Sequence, residues 1–165
     1  LIRQQGWSAV SIRSVAAACG VSVGSIYNYF DSKADLVSAT VESVWSEIFH
    51  RPNDMSVFQS VESCITWMYG RMAYGSPGFF TLHSLGFMRK EKEDGKGRMQ
   101  HAWQHILDAL CFVMTQDQKI RPDAFTEDFT EEKLASVLFS LMLSALLRQD
   151  YDPSTVLEMV RRLIY

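Results

Sequence analysis

Three large side chains with polar tips stand together at Tyr27-Asn28-Tyr29, and two cations, Arg13 and Lys33, flank them in the sequence. Tyrosine hydroxyls, amides and basic groups are the donors that bond phosphate oxygens. Asparagine also carries the donor–acceptor pair that matches the major-groove edge of adenine. Lys33 falls in the first turn of a helix opened by Ser32, where a cation opposes the helix dipole. An external anion such as a phosphate would relieve that opposition. The chemistry on offer is therefore recognition of a polyanion by hydrogen bonds, not bond-making.

Positioning such groups requires short helices with hard stops. Ser11 is suited to cap a helix, since its hydroxyl accepts from a free first-turn N–H. Ile12, Val15, Ala16 and Cys19 recur at helical spacing and are expected to form one buried face. Gly20 stops that helix by taking the left-handed conformation without Cβ strain. Val21 is expected to plug the space between two helices. Ser22 caps the next helix, expected from about Val23 to Tyr29, with Ile26 and Phe30 inward and small residues Gly24 and Ser25 allowing close backbone approach. Ser32-Lys33-Ala34-Asp35 fits a Ser-x-x-acid capping box and opens a long helix expected to reach about His50.

The ordered set Gly6-Trp7, Ser11-Ile12-Arg13 and Gly20-Val21-Ser22-Val23-Gly24-Ser25-Ile26-Tyr27-Asn28-Tyr29-Phe30-Asp31-Ser32-Lys33-Ala34-Asp35-Leu36 resembles the DNA-binding domain of the tetracycline-repressor (TetR) family of bacterial transcriptional regulators. The resemblance covers about Gly6 to Val44. It implies a three-helix head with a helix-turn-helix, followed by a helical body that binds a small effector and pairs with a second copy. It further implies phosphate contacts from Ser11, Arg13, Tyr27, Tyr29 and Lys33, and base-facing positions at Ser22, Val23, Gly24, Ser25 and Asn28. Tyr29 stands where the family often has histidine. It still donates a hydrogen bond but cannot become cationic. The stretch from Leu1 to Gly6 reads as the tail of a helix ended by glycine, so the family's first helix is expected to be incomplete here.

The chain has 165 residues and a formal net charge of −3. A negative total is unusual for a binder of nucleic acid, but distribution matters more than the sum. Between Leu1 and Lys33 stand Arg3, Arg13 and Lys33 against Asp31 alone, so the head is locally positive. So sparse a basic patch implies modest affinity per copy, and a dimer doubles the phosphate contacts. Cys19, Cys64 and Cys111 are scattered and form no Cys-x-x-Cys pair, which suggests buried thiols in a reducing, cytoplasmic setting rather than a disulfide framework. The longest apolar run, Leu134 to Leu147, is broken by three serines and is too short to span a bilayer.

Strand patterning is nearly absent, so the fold class is all-α. Residues 1–44 form the expected helix-turn-helix domain and residues 45–165 the expected helical effector-binding and dimerisation domain. In the body, a helix capped by Ser56 is expected to bury Val57, Val61, Cys64, Ile65, Met68 and Met72. A short apolar helix is expected over 79–88, an exposed loop over 89–98, and a helix from about Met99 to Gln116. Thr130 opens another helix, with acidic residues in its first turn. Pro153, with Asp152 as cap, opens the last. The Leu134–Leu147 stretch is apolar nearly all round and needs cover on two sides. Ser136, Ser140 and Ser144, four apart, with Val156, Val160 and Leu163 on the last helix, suit a four-helix bundle between two copies. The alternative is a fully buried central helix in a monomer.

The body is rich in methionine and aromatic residues, including Phe58, Phe79 and Phe112, which suits adaptable apolar pockets. Trp67, Met68, Met72, Phe80, Phe87, Trp103, Leu107 and Met142 are the candidate effector-lining residues, for an apolar or aromatic ligand. A plain hydrophobic core is the competing reading of the same stripe. His101, His105 and Asp108 share a helix face, but their spacing lacks a glutamate after the first histidine and reads as a solvated face. No cofactor or metal is expected. The most economical function is a DNA-binding regulator, in the resemblance a repressor released from a palindromic operator by its effector, and not an enzyme. The alternatives are a metal- or redox-responsive regulator and a helical-bundle enzyme with a vestigial head.

Overall fold

The computed structural model describes residues 1, 5, 9–49, 54–75 and 96–165, with the side chains of 75 and 96–102 excepted. Every regular element among the described residues is a helix. Leu1–Ser46 fall in one compact unit, and Glu47–Ser76 and Trp103–Tyr165 in another.

In the head, α1 spans Ile12–Cys19 and α2 spans Val23–Tyr27. Ser11 is extended and caps α1. Its Oγ accepts from the Ser14 N–H at 3.0 Å, and the Ser14 Oγ accepts from the Ser11 N–H at 2.9 Å. This is a reciprocal capping box in which serine replaces the usual acid. Gly20 closes α1 in the left-handed region, φ 67°. Ser22 caps α2, its Oγ accepting from the Ser25 N–H at 3.1 Å. Ile12, Ala16, Ile26 and Leu36 form the head's core, with Val15 and Phe30 packed against it.

Two expectations for the head fail. Cys19 is exposed and Val21 is 45% exposed. The buried stripe of α1 is centred on Ile12 and Ala16, and Cys19 falls in the last turn beyond it. Val21 donates its N–H to the Ala16 carbonyl at 3.0 Å, so the left-handed turn at Gly20 carries its side chain past the core instead of into it. The reading helix also ends two residues earlier than expected, with Asn28 as its C-cap.

The long helix α3 spans Lys33–Ile48. Ser32 Oγ accepts from the Asp35 N–H at 3.1 Å, and Asp35 Oδ2 accepts from the Asp31 N–H at 3.2 Å. The reciprocal bond thus reaches one residue further back than the expected box. No basic residue lies in the last turn of α3. That role is filled from elsewhere: Arg71 Nε donates to the Ile48 carbonyl at 2.7 Å, and an Arg71 Nη to the Glu47 carbonyl at 2.8 Å. A guanidinium on the final carbonyls satisfies acceptors that have no intrahelical donor and complements the dipole.

In the body, a 3-10 turn over Met55–Phe58 is capped by Asp54, and α4 spans Val61–Gly75. Ser60, not Ser56, caps α4, its Oγ accepting from the Ser63 N–H at 3.1 Å. Ser56 instead gives its N–H and hydroxyl to Asp54, which opens the 3-10 turn ahead of α4. Val57 is accordingly only half-buried. Helix α5 spans Lys96–Gln116, so 96–98 are helical instead of looped; the expectations for 79–95 lie outside the described residues. Helix α6, Glu131–Arg148, is capped by Thr130, and α7 spans Ser154–Ile164. Asp152 accepts the Ser154 N–H and hydroxyl just ahead of α7. The body's core includes Val61, Ile65, Met72, Leu110, Leu134, Leu138, Met142, Leu146, Val160 and Ile164.

A polar node ties three parts of the body. Asp117, itself buried, accepts from the Val61 N–H at 3.0 Å, from the Lys119 N–H at 3.1 Å and from the Tyr165 hydroxyl. One carboxylate thus supplies a cap to α4 and an anchor for the final residue of the sequence. Arg121 reinforces the same corner, its N–H donating to the Ile164 carbonyl at 2.9 Å and its guanidinium to the Leu163 carbonyl at 2.7 Å.

Candidate nucleic-acid interface

The head presents a surface built from the turn, the reading helix and the helix starts around them. Arg13, in the first turn of α1, is exposed, as are Ser22, Val23 and Gly24. Tyr27 is 53% and Tyr29 77% exposed, and Asn28 is exposed between them. Large aromatic groups are seldom left so open without a partner. The polar tips of Arg13, Tyr27, Asn28 and Tyr29 make no side-chain hydrogen bond or ion pair among the described residues. Their donors are available to an external acceptor. Ser11 and Lys33 are half-buried, and Lys33 stands at the first position of α3.

The serines are less available than their types suggest. Ser11 Oγ is committed to the capping box, and Ser22 Oγ to the α2 cap. The Ser22 and Ser25 hydroxyls also bond each other at 2.8 Å. Backbone geometry does not explain Gly24. It has no positive φ, and a Cβ built there would meet only Ser22 Oγ, at an ordinary 3.7 Å. Neither conformation nor internal packing demands a glycine at that place.

Residues 1–40 match the sequence model described as bacterial regulatory proteins, tetR family. Over those residues the head is similar to the tetR-family module. That span contains α1, the Gly20 turn, α2 and the start of α3, so the exposed tyrosines, Asn28 and Gly24 all lie inside the matched module. The chain is a DNA-binding transcriptional regulator whose head is similar to the tetR module. No curated protein matches its sequence. Among solved structures, the fold is similar to that of the fatty acid degradation regulator FadR from Bacillus halodurans. The TM-score is 0.57 at 15% identity, over 98% of this chain and 87% of that one.

The candidate effector residues of the body divide by burial. Met68, Met72 and Met142 are buried, while Trp67, Trp103 and Leu107 are half-buried; Phe80 and Phe87 lie outside the described residues. Trp67 contacts Phe58 at 5.9 Å and Phe49 at 6.2 Å between ring centroids. Trp103 contacts Phe139 at 5.5 Å. Neither Phe49, just past the end of α3, nor Phe139, within α6, is among the sequence candidates. Phe112, counted with the aromatic wall, is 60% exposed because it sits on the outer face of α5. The Trp103 indole nitrogen is buried and has no hydrogen-bond partner among the described residues.

The candidate dimer residues divide as well. Ser136 and Ser140 are exposed on α6 beside Val137, which is 47% exposed. Their hydroxyls turn back onto the helix, donating to the Glu132 and Ser136 carbonyls at 2.8 Å each. Ser144, Val156 and Leu163 are half-buried, whereas Val160 is fully buried within the single chain and belongs to its own core. The amphipathic spacing of α7 places Val160 at the centre of its inner stripe, which sequence alone does not separate from an intersubunit stripe. The three cysteines differ: Cys64 is buried, Cys111 half-buried and Cys19 exposed. Burial pushes the Cys64 thiol up to about 12. Among the described residues, no group of three or more His, Cys, Asp or Glu is placed to hold a metal, and no helix is long and apolar enough to cross a membrane. His105 is exposed, and Asp108 accepts from Gln104 at 2.8 Å; the His101 side chain lies outside the described residues.

Proposed function

We propose that the chain is a repressor that binds a palindromic operator as a homodimer and leaves it when a small apolar or aromatic effector enters the body. The carrying observation is the set Arg13, Tyr27, Asn28 and Tyr29, exposed and without side-chain partners among the described residues, inside the matched module. Arg13, Tyr27, Tyr29 and Lys33, with Ser11, hold phosphates. Asn28 reads a base edge, and Gly24 lets the backbone approach. Ser22, Val23 and Ser25 complete the surface against the groove.

Pairing is supported by α6. Along its Ser136, Ser140 and Ser144 stripe, Ser136 and Ser140 hide their hydroxyls against the helix beside an exposed valine, a surface suited to close packing on a second copy. Val156 and Leu163 extend it. Two heads in one dimer reach successive major grooves when they stand about 34–36 Å apart. An effector acts by binding unequally to the states with and without that spacing. Trp67, Met68, Met72, Trp103, Leu107 and Met142 are the proposed lining, with Phe80 and Phe87. Trp103 supports a ligand with one acceptor atom, since its buried N–H lacks one among the described residues. The likeness in fold to a fatty acid degradation regulator is compatible with a largely apolar ligand. Arg71, on the last carbonyls of α3, is the place where motion of α4 would reach the long helix.

The test is binding of full-length protein to selected DNA at two salt concentrations. Tyr27→Ala and Lys33→Ala weaken all sequences alike, and Lys33→Ala lowers the salt slope by about one. Asn28→Ala alters sequence preference instead. Unchanged preference in Asn28→Ala removes that residue from base reading.

A further inference from the structure

The first turn of the reading helix carries little hydrogen-bonding capacity. Ser22 and Ser25 are bonded to one another and to the helix start, Gly24 has no side chain, and no arginine, lysine, glutamine or acid lies between Gly20 and Tyr27. What this segment exposes is apolar. Val21 is 45% and Val23 39% exposed, separated only by the extended cap residue Ser22. Both escape the head core of Ile12, Ala16, Ile26 and Leu36. Two open valines beside a glycine whose added Cβ would meet only Ser22 Oγ, at 3.7 Å, are a poor solvent face, and they lie within the matched DNA-binding module. The major groove offers one apolar group for such a surface, the C5-methyl of thymine.

We infer that Val21 and Val23 are specificity residues that read thymine methyl groups, so that each operator half-site carries thymine where the turn and the start of α2 meet the groove. The inference rests on the DNA-binding reading above and deepens it. Asn28 supplies a hydrogen-bonded contact at the far end of α2, and the valines supply a methyl-sensing contact at the near end. Discrimination there is against cytosine, which lacks the methyl, as well as against purines.

The experiment begins with full-length protein and a duplex selected from random DNA. Thymines are replaced one at a time by deoxyuridine, which removes the methyl and keeps the pairing. One or two positions per half-site are expected to lose about fourfold in affinity for each methyl removed, the value of one buried carbon. Val21→Ala and Val23→Ala, at exposed positions that leave the melting curve unchanged, are expected to bind thymine and deoxyuridine duplexes equally at those positions. Uniform tolerance of deoxyuridine in a protein that does select a sequence overturns the methyl assignment and leaves the DNA reading intact. A deoxyuridine penalty that persists in both variants also overturns it. Failure to select or bind any duplex overturns the DNA reading itself, and this inference with it.

Discussion

Gly24→Ala separates stability from function in a single methyl group. Glycine inside a helix costs about 0.8–1.0 kcal/mol relative to alanine, because more backbone freedom is lost on folding. At Gly24 nothing offsets that cost within the chain, since φ is not positive and the added Cβ meets only Ser22 Oγ at 3.7 Å. α2 is short, Val23–Tyr27, so the gain is expected toward the lower end, about 0.5–1 kcal/mol. For a chain of this size that raises a melting midpoint by about 1–4 °C. Binding moves the other way. A methyl inserted where a backbone packs against a base edge or sugar costs about 1–3 kcal/mol, as overpacking does in a core. Affinity for the selected duplex is therefore expected to fall about 5- to 150-fold. Calorimetry or circular-dichroism melting reads the first effect, and fluorescence anisotropy with labelled duplex reads the second. A variant that melts lower refutes the claim that the fold has no need of this glycine. A variant that melts higher and binds DNA as well as the parent refutes close approach at α2.

The body offers further tests. Tyr165→Phe removes the hydroxyl that bonds the buried Asp117 carboxylate and is expected to cost about 1.5–3 kcal/mol in urea unfolding, the range for hydrogen bonds to charged groups. Burial first, and the bond to Asp117 second, raise the Tyr165 pKa above its ordinary 10.0. The sign follows: its contribution is complete below about pH 10 and is lost as pH rises beyond it. The parent therefore destabilises between pH 10 and 11 more steeply than Tyr165→Phe, and equal slopes would contradict the node. Alkylation at pH 8 is expected to modify exposed Cys19 first and to leave Cys64 untouched in the folded protein, as mass spectrometry of digests would show. Gln149→Gly is expected to stabilise the protein by about 1 kcal/mol, because Gln149 closes α6 in the left-handed region at φ 53°, where a side chain is strained. An unchanged melt would show that Gln149 makes compensating contacts.

Local signals in the head read through to the structure where the physics is local. Ser11, Gly20, Ser22 and Ser32 all act as stops or caps, because such bonds span three or four residues and need no tertiary context. The failures are tertiary. Cys19 and Val21 are apolar enough to be buried, but the turn at Gly20 and the small core around Ala16 leave no place for them. In the body, Ser56 and Ser60 are equally good caps by type, and Asp54 decides between them by claiming the first. Val160 shows that an apolar stripe does not reveal whose core it fills. The node of Asp117 and Tyr165 joins residues 48 apart, and no spacing rule announces it. The proposed interface residues could be named together because the motif that carries them is contiguous in sequence. Candidate effector residues come from separate helices, and whether such residues meet is a property of packing, not of spacing.

Footprinting of the full-length protein on its selected duplex bears most directly on the central claim, that the tetR head docks in the major groove and that pairing of two chains sets its reach. Two protected half-sites of matching sequence, centred about one helical turn apart or slightly more, are the expected pattern, with both lost together in Tyr27→Ala. A single isolated footprint, or protection that survives Tyr27→Ala and Lys33→Ala unchanged, would contradict the account.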